Sequence, residues 1–153
     1  SLIKADPSNL PFQINFLEIR RLGILDLLTQ GNVQAAQEAA ERAWSEWQEA
    51  IKGRTQTAEA LYAETRFQET IGTVFAANGE HEKAAAHWQE SVQKLEASQN
   101  PDPAFLAIRR LLALNLGQDA LAEELSARLA KSEYRDPRME PMYTLSETFR
   151  QSK

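Results

Sequence analysis

No cysteine occurs in the 153 residues of this chain. Disulfides, thiolate metal sites and cysteine nucleophiles are excluded together. The compartment stays open, because a cysteine-free chain suits cytoplasm and periplasm equally. Long apolar runs are missing too. The richest stretch, residues 12–28, is interrupted by Glu18, Arg20, Arg21 and Asp26, whereas a bilayer span needs roughly 18 apolar residues in succession. No signal-peptide pattern stands at the start, so membrane insertion of this chain is not expected. There is no basic stripe of the kind nucleic acid requires: 17 Lys and Arg stand against 22 Asp and Glu, for a net charge of −5. Like charges come only in pairs such as Arg20-Arg21, Arg109-Arg110 and Glu123-Glu124, which read as edges of solvated helix faces.

Chemistry-bearing motifs are equally scarce. The six glycines are isolated, so no loop can cradle phosphate and no Gly-x-Ser-x-Gly elbow exists. The two histidines, His81 and His87, are six residues apart, which places them on different faces of one helix and prevents local chelation. Glu80 and Glu82 read as dipole stabilisation at a helix start. The expectation is a protein without catalytic residues, cofactor or metal. An all-helical enzyme is kept as a remote alternative, since a constellation assembled across helices leaves no local motif.

What the chain does have is helical periodicity along nearly its whole length. Ala36, Ala40, Ala43, Trp44, Trp47 and Ile51 follow steps of three and four, as do Phe67, Ile71, Val74 and Phe75. The same holds for Ala84, Ala85, Trp88, Val92 and Leu95, and for Leu121, Ala122, Leu125 and Leu129. Gly31, Gly53, Gly79 and Gly117 each close a periodic run, as helix-ending glycines do. Asp102-Pro103 starts a helix, the aspartate capping and the proline fitting the first position. Thr55 or Thr57 can cap another. The pattern predicts helices near 11–29, 33–52, 57–77, 80–98, 103–116 and 118–131, with a shorter one near 141–150. Connections of about two residues fold consecutive helices into antiparallel hairpins. The turns between hairpins fall at 53–56 and 99–102.

Gly31, Gly79 and Gly117 each have an alanine five residues on, namely Ala36, Ala84 and Ala122. Small residues belong where the two helices of a hairpin come close. The middle copy is fullest: Gly72, Phe75, Gly79, Ala84 and Trp88 stand in the order and spacing of the tetratricopeptide repeat (TPR), which this chain resembles over residues 5–132. His81 stands where the family carries a tyrosine, and is expected to take over its packing role, with His87 at the surface. Ala40 and Ser126 replace the large aromatic in the outer copies. The copies lie 48 and 38 residues apart, against a family period of about 34, and the excess is expected in longer helices, chiefly from Trp44 to Ile51. Trp44 and Trp88 are expected in the core and Trp47 at its edge.

The resemblance implies an all-α, right-handed α-α superhelix of about three TPR-like hairpins, at 10–52, 55–98 and 102–132, with a C-terminal cap over 133–153. Residues 1–9, with Ala5-Asp6-Pro7, look like the tail of a preceding repeat, and the start at Ser1 without methionine suggests a piece of a longer protein. Glu133-Tyr134-Arg135-Asp136-Pro137 resembles the close of repeat regions in bacterial multidomain signalling proteins, among them serine/threonine kinases and winged-helix regulators. The family's groove, lined by the first helix of each hairpin, would here carry Glu18, Arg21 and Leu25, then Arg66, Glu69 and Thr73, then Leu111 and Asn115. The lysines and asparagine that grip a C-terminal carboxylate in one subtype are absent, since Arg21, Leu25, Glu69 and Thr73 hold those places. The expected role is a protein-interaction scaffold for a protein or peptide segment, the docking or sensory part of a signalling protein; homodimerisation is the alternative. If the groove is open, reversing the charge of Arg21 and Arg66 weakens the partner and leaves stability unchanged.

Overall fold

A computed structural model describes residues 9–132. The expected terminal helix near 141–150, the cap at 133–153 and all but Asn9 of the tail expected at 1–9 lie outside the described residues. Within them are six helices and no strand: α1 (Leu10–Thr29), α2 (Val33–Ile51), α3 (Ala58–Ala77), α4 (His81–Ser98), α5 (Pro103–Asn115) and α6 (Asp119–Ser132). Helices α1 and α2, α3 and α4, and α5 and α6 pair as hairpins. Each later hairpin lays its first helix against both helices of the pair before it: α3 packs on α1 and α2, and α5 on α3 and α4.

Local chemistry sets the boundaries. The first helix of each hairpin is capped by a side chain: Asn9 accepts from the Phe12 N–H at 3.1 Å, Thr57 from Ala60 at 3.1 Å, and Asp102 from Ala104 at 2.9 Å. Each cap satisfies one of the amide groups that a helix start leaves unpaired. The three hairpin corners share one hydrogen-bond pattern. The residue after the glycine reaches back five positions, Asn32 to the Leu27 carbonyl, Glu80 to Phe75 and Gln118 to Ala113, at 2.8–2.9 Å. This closure requires a left-handed residue, and Gly31, Gly79 and Gly117 supply it with φ of 79°, 81° and 73°. Ala36, Ala84 and Ala122 then take the first regular bond of the second helix and are buried. The three corners are therefore equivalent. The junction after α4 differs, with Gln99 in the left-handed region at φ 50°.

The unequal spacing of the copies has a plain origin. Helix α3 has 20 residues where α5 has 13, and α2 has 19 where α4 has 18. The connection before α3 is also longer than that before α5. The extension thus falls mainly in α3, and not in the Trp44–Ile51 end of α2.

A single core runs through α1 to α5, centred on Phe67, Ile71 and Val74 of α3, while Ala113, Ala122 and Leu125 form a separate cluster between α5 and α6. Trp88 lies on Gly72 so closely that a methyl group at that glycine would penetrate the indole. Its ring N–H donates to the Glu69 carbonyl at 3.1 Å. The same two positions in the outer copies are occupied by Ile24 and Ala40, and by Arg110 and Ser126. Ile24 and Ala40 are buried, and Arg110 Nε donates to Ser126 Oγ at 2.7 Å. The large and small members have changed places between copies, which keeps the summed volume across each hairpin.

Two aromatic expectations are corrected. Trp47 is buried, 3 % exposed, and donates to Glu64 Oε1 at 3.2 Å. Trp44 is only half-buried, stacked on Phe67 at 6.3 Å with Lys94 above it. The histidines exchange roles as well. His81 is exposed at the start of α4, whereas His87 stacks on Phe75 at 5.5 Å and meets Trp44 edge-on. A helix wheel places both members of each pair near the apolar boundary, and the neighbouring helix decides which side of it is covered.

Two predictions follow from this packing. Trp88→Ala costs about 3–5 kcal/mol, and Gly72→Ile alone costs about 1–3 kcal/mol or more by overpacking. The double variant reproduces the Ile24–Ala40 arrangement, so its loss is smaller than the two single losses combined by about 1–3 kcal/mol; urea midpoints of the four proteins measure the coupling. The second concerns His87, whose Nδ1 is buried without a hydrogen-bond partner. Burial first of all holds its pKa below the ordinary histidine value of 6.5, with Glu90 opposing the lowering and Lys94 adding to it. Below pH 6.5 the unfolded chain takes up a proton that the folded chain refuses, so this contribution is complete above 6.5 and is lost as pH falls toward the lowered value. In His87→Phe the urea midpoint should change less between pH 7.5 and 5.5 than in the parent.

Candidate partner-binding face

The first helices α1, α3 and α5 lie side by side. Their shared face carries two polar clusters built from sequence-predicted residues. In the first, Glu18 accepts from Arg21 twice, at 2.9 Å from Nε and 2.8 Å from the terminal nitrogen, and its Oε1 lies 3.4 Å from Arg66. Arg21 also donates to Thr70 Oγ1 across the α1–α3 seam at 3.4 Å. Arg66 reaches the Tyr62 hydroxyl at 3.5 Å and sits over that ring at 5.3 Å. In the second cluster, Glu69 Oε1 accepts from Asn115 Nδ2 at 2.8 Å, across the α3–α5 seam, and from Thr73 Oγ1 at 3.3 Å.

The structure thus brings Glu18, Arg21 and Arg66 together, and Glu69, Thr73 and Asn115 together. Leu25 and Leu111 are buried and belong to neither cluster. Arg21, Arg66 and Glu69 are 3 %, 7 % and 6 % exposed, so their side chains tie helices to one another. Glu18, Thr73 and Asn115 are the half-buried members. This corrects the expectation that charge reversal at Arg21 and Arg66 leaves stability unchanged, because a buried guanidinium beside a carboxylate is integral to the seam.

Sequence reasoning missed the floor of the face. At the starting ends of α1, α3 and α5 a cavity of about 850 Å³ opens, with Leu10, Ile14, Tyr62 and Phe105 among its apolar lining. Tyr62 and Phe105 meet edge-to-face at 6.1 Å and 84°, a favoured aromatic geometry. Exposed Asn15, Glu59 and Asp102 line it as well. The available signal was the recurrence of an apolar or aromatic residue, Ile14, Tyr62 and Phe105, near the start of all three first helices.

Among the described residues no group of three or more His, Asp or Glu side chains could hold a metal ion. No helix among them is long and apolar enough to cross a membrane. No known protein-family model matches the chain, and no match is found among curated proteins or solved structures.

Arg21→Glu should therefore lower stability by about 2 kcal/mol or more, because it places an unpaired carboxylate at a site 3 % exposed, beside half-buried Glu18. Arg20→Glu, whose partner Glu46 is half-exposed, should change it by no more than about 1 kcal/mol. Thermal unfolding of the two variants gives the contrast.

Proposed function

We propose that the chain is a tetratricopeptide-type scaffold that holds a segment of another protein against the α1–α3–α5 face, as the docking or sensory part of a signalling protein. The observation that carries this reading is the cavity at the start of three successive first helices, whose later turns carry the half-buried polar groups of Glu18, Thr73 and Asn115. The equivalent glycine corners and the packing of each first helix on the preceding pair support the family resemblance. A face made from three consecutive repeats suits an extended or helical segment, which meets side chains from each repeat in turn.

Self-association is favoured by a different observation. Ile19 and Leu22, three residues apart on α1, are 65 % and 44 % exposed, and an apolar stripe of this kind can be covered by a second copy.

Panning a displayed library of random twelve-residue segments against the full chain tests the scaffold. Bound segments should be lost on Asn15→Trp, which blocks the cavity mouth from an exposed position, and retained on Gln89→Ala at the exposed face of α4. Binders indifferent to Asn15→Trp, or none at all, would remove the reading. Sedimentation over a concentration series, with Ile19→Glu and Leu22→Glu, tests the second: a dimer that those two changes dissociate supports it.

A further inference from the structure

The cavity also carries information about what enters it. Among the described residues that line it, Glu59 and Asp102 are the only charged ones. Three helix starts converge there, each worth roughly half a positive charge, so the two carboxylates slightly outweigh them. The amides that would grip an anion are already engaged in part, because Asn9, Thr57 and Asp102 accept from Phe12, Ala60 and Ala104. An incoming carboxylate or phosphate meets two like charges and few open donors. An ammonium or guanidinium meets acceptors. Beneath this rim the Tyr62–Phe105 pair and Ile14 offer an apolar floor. The volume of about 850 Å³ is near the upper end of the range for small-ligand sites, which run from roughly 300 to 1,000 Å³, and gives room for more than one side chain.

We infer that the cavity receives a large apolar side chain with an adjacent lysine or arginine, presented by a segment of a partner protein. This rests on the scaffold reading and adds the chemistry of the partner. The apolar group packs on the aromatic floor and the neighbouring cation lies against Glu59 and Asp102 at the rim. Glu59 is exposed in the first turn of α3, and the cap of that helix comes from Thr57, so its replacement leaves the helix start intact.

The test uses segments recovered by panning on the full chain, synthesised as labelled peptides and titrated by fluorescence anisotropy. Recovered sequences should pair an apolar residue with lysine or arginine. Glu59→Gln should weaken them about threefold and Glu59→Lys about tenfold, in line with exposed charge pairs. Binding should fall with added salt, and a peptide carrying glutamate for its basic residue should recover on the Glu59→Lys chain. Segments that Asn15→Trp displaces but that show no basic preference, or that bind Glu59→Lys unchanged, overturn the inference and leave the scaffold standing. Segments indifferent to Asn15→Trp overturn both. A synthetic peptide of residues 133–153 that outcompetes every recovered segment, or a dimer that Glu59→Lys abolishes, would make this chain its own occupant and likewise overturn it.

Discussion

Helix α3 is covered over most of its surface by four neighbouring helices, and that burial governs the rest of the molecule. Fourteen of its twenty residues are buried, and six of them are polar: Glu64, Thr65, Arg66, Gln68, Glu69 and Thr70. A polar group removed from water must find a partner or cost several times what the bond itself contributes. The threonines return their hydroxyls to the carbonyls of their own helix, Thr65 to Leu61 at 2.8 Å and Thr70 to Arg66 at 3.3 Å. The longer side chains reach outward. Glu64 takes the Trp47 ring N–H from α2 and lies 3.6 Å from Lys94 of α4. Gln68 accepts from Ser91 and Lys94 at 3.2 and 3.1 Å. Arg66 and Glu69 turn toward α1 and α5. The need to satisfy one helix thereby joins α3 to four neighbours with directional bonds that apolar packing alone would leave free to slide.

The repeat persists through a related economy of space. What the three copies hold in common is backbone: a left-handed glycine, the bond that closes over it, and a small residue opening the second helix. What they do not hold in common is which partner across the hairpin is bulky. Trp88 needs Gly72, Ala40 and Ile24 hold the equivalent positions in one core, and Ser126 receives the guanidinium of Arg110. An aromatic residue stands at only one of these three places, Trp88, while a large side chain remains paired with a small one across each hairpin.

Much of this architecture was legible in the residues themselves. Helix ends were readable because glycine, proline and capping side chains act within a few residues of their own position, and the expected boundaries fall within two residues of the observed ones. The all-helical class followed from periodicity. The depth of burial of the polar residues did not. Periodicity identifies an apolar stripe, yet it is silent on whether the opposite face is also covered, so Arg21, Arg66 and Glu69 read as groove residues when they are seam residues. The same silence exchanged Trp44 with Trp47 and His81 with His87. The cavity went unread because it exists only where three helix starts, separated by about 45 residues in each step of sequence, converge in space.

Helix α6 reaches the main core through Leu129 alone among its apolar side chains, which has a consequence for how the fold comes apart. Its packing partner among the described helices is α5, through the small cluster of Ala113, Ala122 and Leu125. Elements that touch only their neighbours tend to open in units of one hairpin. Losing the third hairpin withdraws Asn115 from Glu69 and Phe105 from Tyr62 while α1 to α4 remain assembled. Anything that filled the cavity would thus be felt as resistance to amide exchange in α5 and α6, far from most of the atoms it touched.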